Sequence, residues 1–407
     1  MAMKPKIHFH SDCSFFAGCE NMLSVLFNNS KFNKDFKFSF SYNFSKEYEY
    51  GLEKRINHII TKYPLKLSKP SSSQANRIIR FLIKIMQPIY FLCDTYKIYK
   101  IINRENPDII HINNGGYPGA LSCSAAVFSA RLAGKTKIIY VVNNIAFPIK
   151  SFQRGLLYPI DLFVSKNVSK FITASERAKK SLEKVLSLKN EKVLQIPNTI
   201  VPRKINTQKE MFRKKYGINK DDILIGCVAL FIERKGHVYL INAFSEFLKH
   251  YNGKNNVYLI LDGNGDKKDE IKKLINELKL NKNIILTELA NIYDLYNAMD
   301  FLVLASIEKE DFPNVIIESM YMGKPVIGTD VGGIPEQIKD GYNGEIVKPR
   351  NTKELGNAIL KLVNDKKYSK KLGKNGKKLF EDKFSENTIV GRYIKLYNVL
   401  VNERNKK

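Results

Sequence analysis

The stretch Glu310-Asp311-Phe312-Pro313-Asn314-Val315-Ile316-Ile317-Glu318 concentrates more chemistry than any other in this 407-residue chain. Its two glutamates stand eight residues apart, the first in a polar loop and the second inside an apolar run of helical period from Val315 to Met322. A helix opening there offers unsatisfied backbone N–H groups to an anion. Pro313 has no N–H, so the donors at that opening are Phe312, Asn314 and Val315. Glu318, carried on the helix, can accept two hydroxyl hydrogen bonds, which suits a vicinal diol such as that of a ribose. Glu310, in the loop, can meet the hydroxyls of a sugar.

The surroundings of this stretch are ordered. Ala305-Ser306 ends an apolar strand-like run ahead of it. Behind it come Gly323-Lys324-Pro325-Val326, then Gly332-Gly333-Ile334-Pro335-Glu336, then Gly341-Tyr342-Asn343-Gly344. The sequence resembles here the C-terminal domain of glycosyltransferase family four, a family of retaining GT-B enzymes. There a Ser after a strand, a Glu-x7-Glu segment, a Gly-x-Pro-Val turn and Gly-Gly-x-Pro-Glu follow one another. The resemblance implies a nucleotide-sugar donor site in which Glu310 is the catalytic carboxylate and Glu318 holds the ribose.

A second segment, Phe231-Ile232-Glu233-Arg234-Lys235-Gly236-His237, follows a strand and opens a helix. The family keeps a Lys-Gly at this place, so Lys235 is expected to meet the donor diphosphate as a point charge. The family's Arg, some five residues earlier, is replaced here by Ala229-Leu230. Arg234 is the candidate substitute, although adjacent residues at a helix start are expected to point different ways. Gly263-Asn264-Gly265-Asp266 matches the family's Gly-x-Gly turn.

In the N-terminal half the likeness is looser. Ala17-Gly18-Cys19-Glu20 stands where the family has a Gly-Gly-x-Glu loop, and Gly18 would let the backbone approach the donor or the acceptor. His111, in Pro107-Asp108-Ile109-Ile110-His111, reads as a packed strand-end histidine. Many relatives carry a His after the strand matching Lys137–Val142; this chain has Asn143-Asn144, and Asn143 is the acceptor-side candidate. An amide cannot serve as acid or base near neutral pH.

Strand-like runs alternate with helical stretches along the whole chain. Lys6–His10, Asp108–Asn113, Lys137–Val142, Phe171–Ala174 and Lys192–Ile196 are the strands expected in the first half. Ile223–Ala229, Val257–Leu261, Ile284–Leu286, Phe301–Ala305 and Pro325–Gly328 are those of the second. This alternation predicts an α/β protein with parallel sheets. The length favours two domains, and the polar stretch Asn198–Lys209 reads as their linker. The expectation is GT-B, two doubly wound Rossmann-like domains facing each other across a cleft. Residues 1–200 form an acceptor-side domain and 201–385 the donor-binding domain. A C-terminal helix over 386–407 is placed to cross back to the first.

The five cysteines are scattered and form no Cys-x-x-Cys pair, which fits a reducing compartment. No run resembles a signal peptide or a spanning helix, so a cytoplasmic protein is expected. The formal net charge is +27. It is uneven: residues 1–204 hold 32 Lys and Arg against 13 Asp and Glu, and Lys54–Arg104 holds 11 against Asp94 alone. Such a field attracts an anionic surface. Arg77, Arg80 and Lys84 recur at helical spacing, and Lys97 and Lys100 repeat the pattern beyond Pro88, which is expected to break or kink the helix. Ile78, Phe81, Ile85 and Met86, then Ile98, Ile101 and Ile102, supply apolar neighbours. The segment reads as an interfacial helix binding an anionic membrane at the inner face of the cell membrane. No interleaved basic and aromatic motif points to nucleic acid.

The resemblance implies transfer of a sugar from a nucleotide-diphosphate donor to a saccharide or polyprenyl-linked acceptor, with retention and without a metal or other cofactor. Two other classes share the fold: a nucleotide-sugar epimerase, and a non-catalytic basic binder of anionic lipid or RNA.

Overall fold

A computed structural model describes residues 4–13, 16, 18–58, 60–67, 77–148 and 157–403; at Cys19 and within 77–84 it describes the backbone alone. The described residues fall into two compact units, Met1–Asn198 with Ile389–Lys407, and Thr199–Thr388.

The first unit is built on a seven-stranded sheet in the order β3-β2-β1-β4-β5-β6-β7. Its strands are β1 (Lys6–Ser11), β2 (Lys37–Asn43), β3 (Thr61–Leu65), β4 (Ile109–Asn114), β5 (Ile138–Val142), β6 (Lys170–Thr173) and β7 (Val193–Gln195), paired in parallel throughout. β5, Ile-Ile-Tyr-Val-Val, is buried along its whole length, as a strand covered by helices on both faces must be. β1 is also buried but alternates apolar with histidine, and its polar side is satisfied by its neighbour. His8 pairs in register with Ser39 of β2 and His10 with Ser41. His8 Nδ1 lies 2.8 Å from Ser39 Oγ and its Nε2 2.9 Å from Ser41 Oγ. β3 contains Pro64, which lacks a ladder donor, and it occupies the sheet edge.

From Ile389 onward the helix Glu386–Asn402 belongs to this unit. Its Tyr397 hydroxyl lies 2.7 Å from Nδ1 of His111 on β4, and its ring packs edge-on to Phe36.

The second unit has a six-stranded parallel sheet in the order β10-β9-β8-β11-β12-β13. The strands are β8 (Ile223–Val228), β9 (Val257–Asp262), β10 (Ile284–Thr287), β11 (Phe301–Leu304), β12 (Val326–Thr329) and β13 (Gly344–Val347). Sequence order reverses at β8, which lies between β9 and β11. In open parallel sheets such a reversal opens a crevice at the carboxyl ends of the two flanking strands. The stretch read as a linker is fastened to this unit. Thr199 donates its hydroxyl to the Phe384 carbonyl (2.5 Å), and Asp294 accepts from the backbone N–H groups of Asn206 and Thr207.

Of the two effects expected of Pro88, a break of the helix does not occur. The helix Arg77–Glu105 runs unbroken through Pro88. Pro88 lies on its exposed side, while Phe91, Ile98 and Ile102 are buried against the helix Leu121–Leu132 and anchor the turns that follow. A proline removes one hydrogen bond but does not end a helix whose flanking turns are packed.

Candidate active site

The carboxyl ends of β8 and β11 each lead into one of the two segments singled out above. After β8 the chain makes a single 3-10 turn, Glu233–Lys235, before the helix His237–His250. Gly236 links the two at φ +69°, and a Cβ there would lie 2.0 Å from the Ala305 carbonyl oxygen at the end of β11. Only glycine allows this approach. The Ile307 N–H donates to the Arg234 carbonyl (2.8 Å), tying the turn to the loop after β11.

That loop carries Glu310, which is 6% exposed. Its Oε1 accepts from Arg234 Nη1 at 2.7 Å, from Ser306 Oγ at 3.1 Å and from Lys235 Nζ. The expectation that Arg234 and Lys235 diverge is therefore corrected. Docking of the turn beside residues 307–310 lets both side chains reach one carboxylate oxygen. Two cations on one carboxylate leave the cluster with a net positive charge, which favours an anion nearby. At Leu230, where the family has its Arg, the side chain is 52% exposed.

A third motif closes over Glu310. Gly332 has φ +54°, and a Cβ there would stand 1.5 Å from the Glu310 carbonyl oxygen. The Gly332-Gly333 turn thus fits directly on the Glu310 backbone. Thr329 donates its hydroxyl to the Ser306 carbonyl (2.6 Å), and Gln337 Nε2 donates to the Pro313 carbonyl (3.1 Å).

The helix expected from Val315 spans Asn314–Tyr321 with Pro313 at its N-cap. The amides of Asn314 and Val315 open its first turn, where no intrahelical carbonyl is available. Phe312 is buried, its ring edge-on to Phe384. Glu318 is 9% exposed, and its Oε2 accepts from the Tyr296 hydroxyl at 2.7 Å. Burial and the Glu318 charge push the Tyr296 phenol well above its ordinary range, so it remains a donor.

In the first unit, Asn143 follows β5, and its Nδ2 donates to Asn113 Oδ1 (2.8 Å) and the Asn114 carbonyl (3.0 Å). Around it at the ends of β1 and β4 lies a polar network that sequence reasoning does not assemble. Ser11 donates to Glu20 (2.8 Å), Asn113 to Ser11 (3.3 Å), and Asp12 accepts from Asn43 (2.9 Å) and Ser122 (2.5 Å). The signal available was positional: Ser11, Asn43 and Asn113 stand at the carboxyl ends of β1, β2 and β4, and Asp12 follows β1 directly. A Cβ on Gly18 would meet nothing within 4 Å, so the protein's own packing does not demand glycine there. His111 is buried, and burial takes its pKa down to about 3.

Of the membrane-binding candidates, the side chains of Arg77, Arg80 and Lys84 lie outside the described residues. Lys97 Nζ donates to the Lys66 carbonyl (2.8 Å) and lies 3.7 Å from Asp94, while Lys100 Nζ sits 4.4 Å above the Tyr96 ring. Ile98, Ile101 and Ile102, read as apolar neighbours of the basic residues in an interfacial segment, belong to the buried side of the helix. No helix of the described residues is long and apolar enough to cross a membrane.

Residues 208–379 match the family model of glycosyl transferases group 1, and residues 58–204 that of glycosyltransferase family 4. The chain is 30% identical over 323 residues to an uncharacterized glycosyltransferase of Methanocaldococcus jannaschii, covering 78% of this chain and 83% of that one. The chain belongs to glycosyltransferase family 4. This glycosyltransferase is also 28% identical to the capsular polysaccharide biosynthesis glycosyltransferase CapM of Staphylococcus aureus, over 82% of its own length and 88% of CapM's. Its fold is like that of HepE from Anabaena, solved with UDP and glucose: the TM-score is 0.75 at 19% identity, covering 97% and 99% of the two chains. The two Rossmann-like units are therefore of the GT-B type, and the protein is a transferase acting in polysaccharide or glycoconjugate synthesis. The epimerase and non-catalytic readings are set aside.

Proposed function

We propose that this glycosyltransferase moves a sugar, with retention at the anomeric carbon, from a nucleoside-diphosphate sugar to a hydroxyl of a saccharide or polyprenyl-linked acceptor in bacterial surface polysaccharide assembly. The observation that carries the donor half is the meeting of Arg234 and Lys235 on Glu310 at the crevice between β8 and β11. The similarity to CapM supports the acceptor class.

In this reading the diphosphate takes the two cations from Glu310, and the amides of Phe312, Asn314 and Val315 complete its cradle. Fixed donors of this kind act on the charge that grows as the bond from anomeric carbon to phosphate oxygen breaks. Glu310, released from the cations, accepts hydrogen bonds from the sugar hydroxyls. Glu318, oriented by Tyr296, accepts from the ribose diol. The acceptor oxygen bonds to the anomeric carbon on the face the phosphate leaves, and its proton passes to a departing phosphate oxygen, so no protein base is needed. Asn143 with the Asp12 and Asn113 network provides acceptor-side hydrogen bonds, and Gly18 leaves room for a ligand near them. No metal enters the scheme. The protein works on the cytoplasmic side, peripheral to the inner face of the membrane.

The test is release of nucleoside diphosphate from a panel of nucleotide sugars, followed by NMR of the product's anomeric configuration. Release from no donor, or an inverted product, would count against the corresponding half of the proposal.

A further inference from the structure

The helix Arg77–Glu105 carries an outward apolar line that the protein's own core leaves uncovered. Ile85, Ile89, Leu92 and Tyr96 are 56%, 51%, 65% and 58% exposed. Steps of four, three and four residues place them along one face. The opposite face, with Phe91, Ile98 and Ile102, is buried in the core. Phe91 meets Phe128 edge-on at 5.0 Å, and Phe128 stacks on Phe163 at 3.8 Å. The helix Tyr158–Asn167 therefore belongs to the same layer, and it exposes Tyr158 and Leu162 as well. Single exposed apolar residues are ordinary. A line of four large ones on one helix marks a contact surface.

Charge selects the occupant. The first 204 residues hold 32 Lys and Arg against 13 Asp and Glu. At the end of the line Lys100 lies over the Tyr96 ring, with Lys97 beside it, while Asp94 is buried. A second copy would bring a charge of +27 against +27, which opposes self-association. An anionic bilayer satisfies both the apolar line and the basic field. We infer that the outward face of this helix seats in the boundary between headgroups and acyl chains of a bilayer containing anionic phospholipid. Ile85, Ile89, Leu92 and Tyr96 enter the apolar side, and Lys97 and Lys100 meet the headgroups. Ile85 to Tyr96 spans about 16 Å of helix axis, which suits a helix lying flat in the interface. This deepens the proposed peripheral location and rests on it for purpose: it holds the first unit where a lipid-linked acceptor is presented.

Co-sedimentation with phosphatidylcholine vesicles, with and without phosphatidylglycerol, tests the surface without donor or acceptor. Wild type should bind the phosphatidylglycerol vesicles and weaken as salt rises. Ile89→Glu with Leu92→Glu should reduce binding by at least about tenfold. Lys97→Gln with Lys100→Gln should weaken it severalfold on anionic vesicles only. If the glutamate pair does not fold by circular dichroism, Leu92→Ser with Tyr96→Ser replaces it. No vesicle binding by wild type, or binding unchanged by these substitutions, overturns the inference. So does a lipid-independent wild-type dimer that the glutamate pair dissolves. Wild type that turns over donor but does not bind vesicles refutes the docking surface alone. Wild type that binds vesicles but turns over no donor refutes the transferase mechanism alone.

Discussion

Lys235 and Glu310 meet as an ion pair although 75 residues of chain separate them. Each follows one of the two strands at which the order of the second sheet reverses, so the topology brings them together. Arg234 shares the same carboxylate oxygen. The cluster joins three motifs, because Gly236 and Gly332 both make backbone contacts in it that a Cβ would prevent.

If the two cations carry the donor diphosphate, Lys235→Ala should lower the turnover number by about two to three orders of magnitude. Arg234→Ala should have a smaller effect, since Arg234 is the more exposed of the two. Steady-state release of nucleoside diphosphate checks this. Equal, small losses in both variants would place the diphosphate elsewhere.

Gly332→Ala combines a left-handed backbone with a Cβ directed at the Glu310 carbonyl. It should cost about 1–3 kcal/mol of stability and displace Glu310, lowering activity as well. Gly18→Ala, whose Cβ meets nothing, should change stability by less than about 0.5 kcal/mol. Thermal denaturation of the two variants makes the comparison.

The first sheet makes the protein acid-sensitive. Burial holds His8 and His111 down to about 3 and lowers His10 too; His237 in the second unit falls to about 4 by burial and the Lys235 charge. Unfolded imidazoles gain protons near pH 6.5 while these stay neutral. The unfolded state then binds more protons, and stability falls as pH drops from that value towards the folded pKa. Each histidine should cost about 2 kcal/mol by pH 5. The Tm should therefore fall steeply between pH 7.5 and pH 5, and a flat profile would contradict the neutral burial.

If Lys235, Arg234 and backbone amides meet the phosphate charge as proposed, transfer should persist in excess EDTA. Activity lost on chelation and restored by manganese or magnesium would overturn the metal-free scheme.

Much of the second unit is legible in the sequence because its strands β8, β9 and β11 are short continuous apolar runs, as a doubly covered parallel sheet requires. β13 is not, since Gly344-Glu345-Ile346-Val347 is brief and follows a turn motif. β2 hides for a different reason. Its serines look like surface residues until His8 and His10 of the neighbouring strand supply their partners, and no local pattern reveals a partner 31 residues away. Glu310 and Lys235 are each visible as motif residues, but their contact is tertiary. The helix continues through Pro88 where a break was one expected effect, because packing of its buried side outweighs the lost hydrogen bond. Its exposed apolar side becomes visible only once Ile98 and Ile102 are known to face inward.

The central claim is that a nucleotide sugar reacts at Glu310. Its most direct test compares wild type with Glu310→Gln for nucleoside diphosphate release from the preferred donor, with Tm measured in parallel. The substitution keeps the shape and a hydrogen-bonding oxygen but removes the charge that Arg234 and Lys235 share. The account predicts at least about a hundredfold loss of turnover in a protein that still unfolds cooperatively. A folded Glu310→Gln enzyme turning over at the wild-type rate would contradict it.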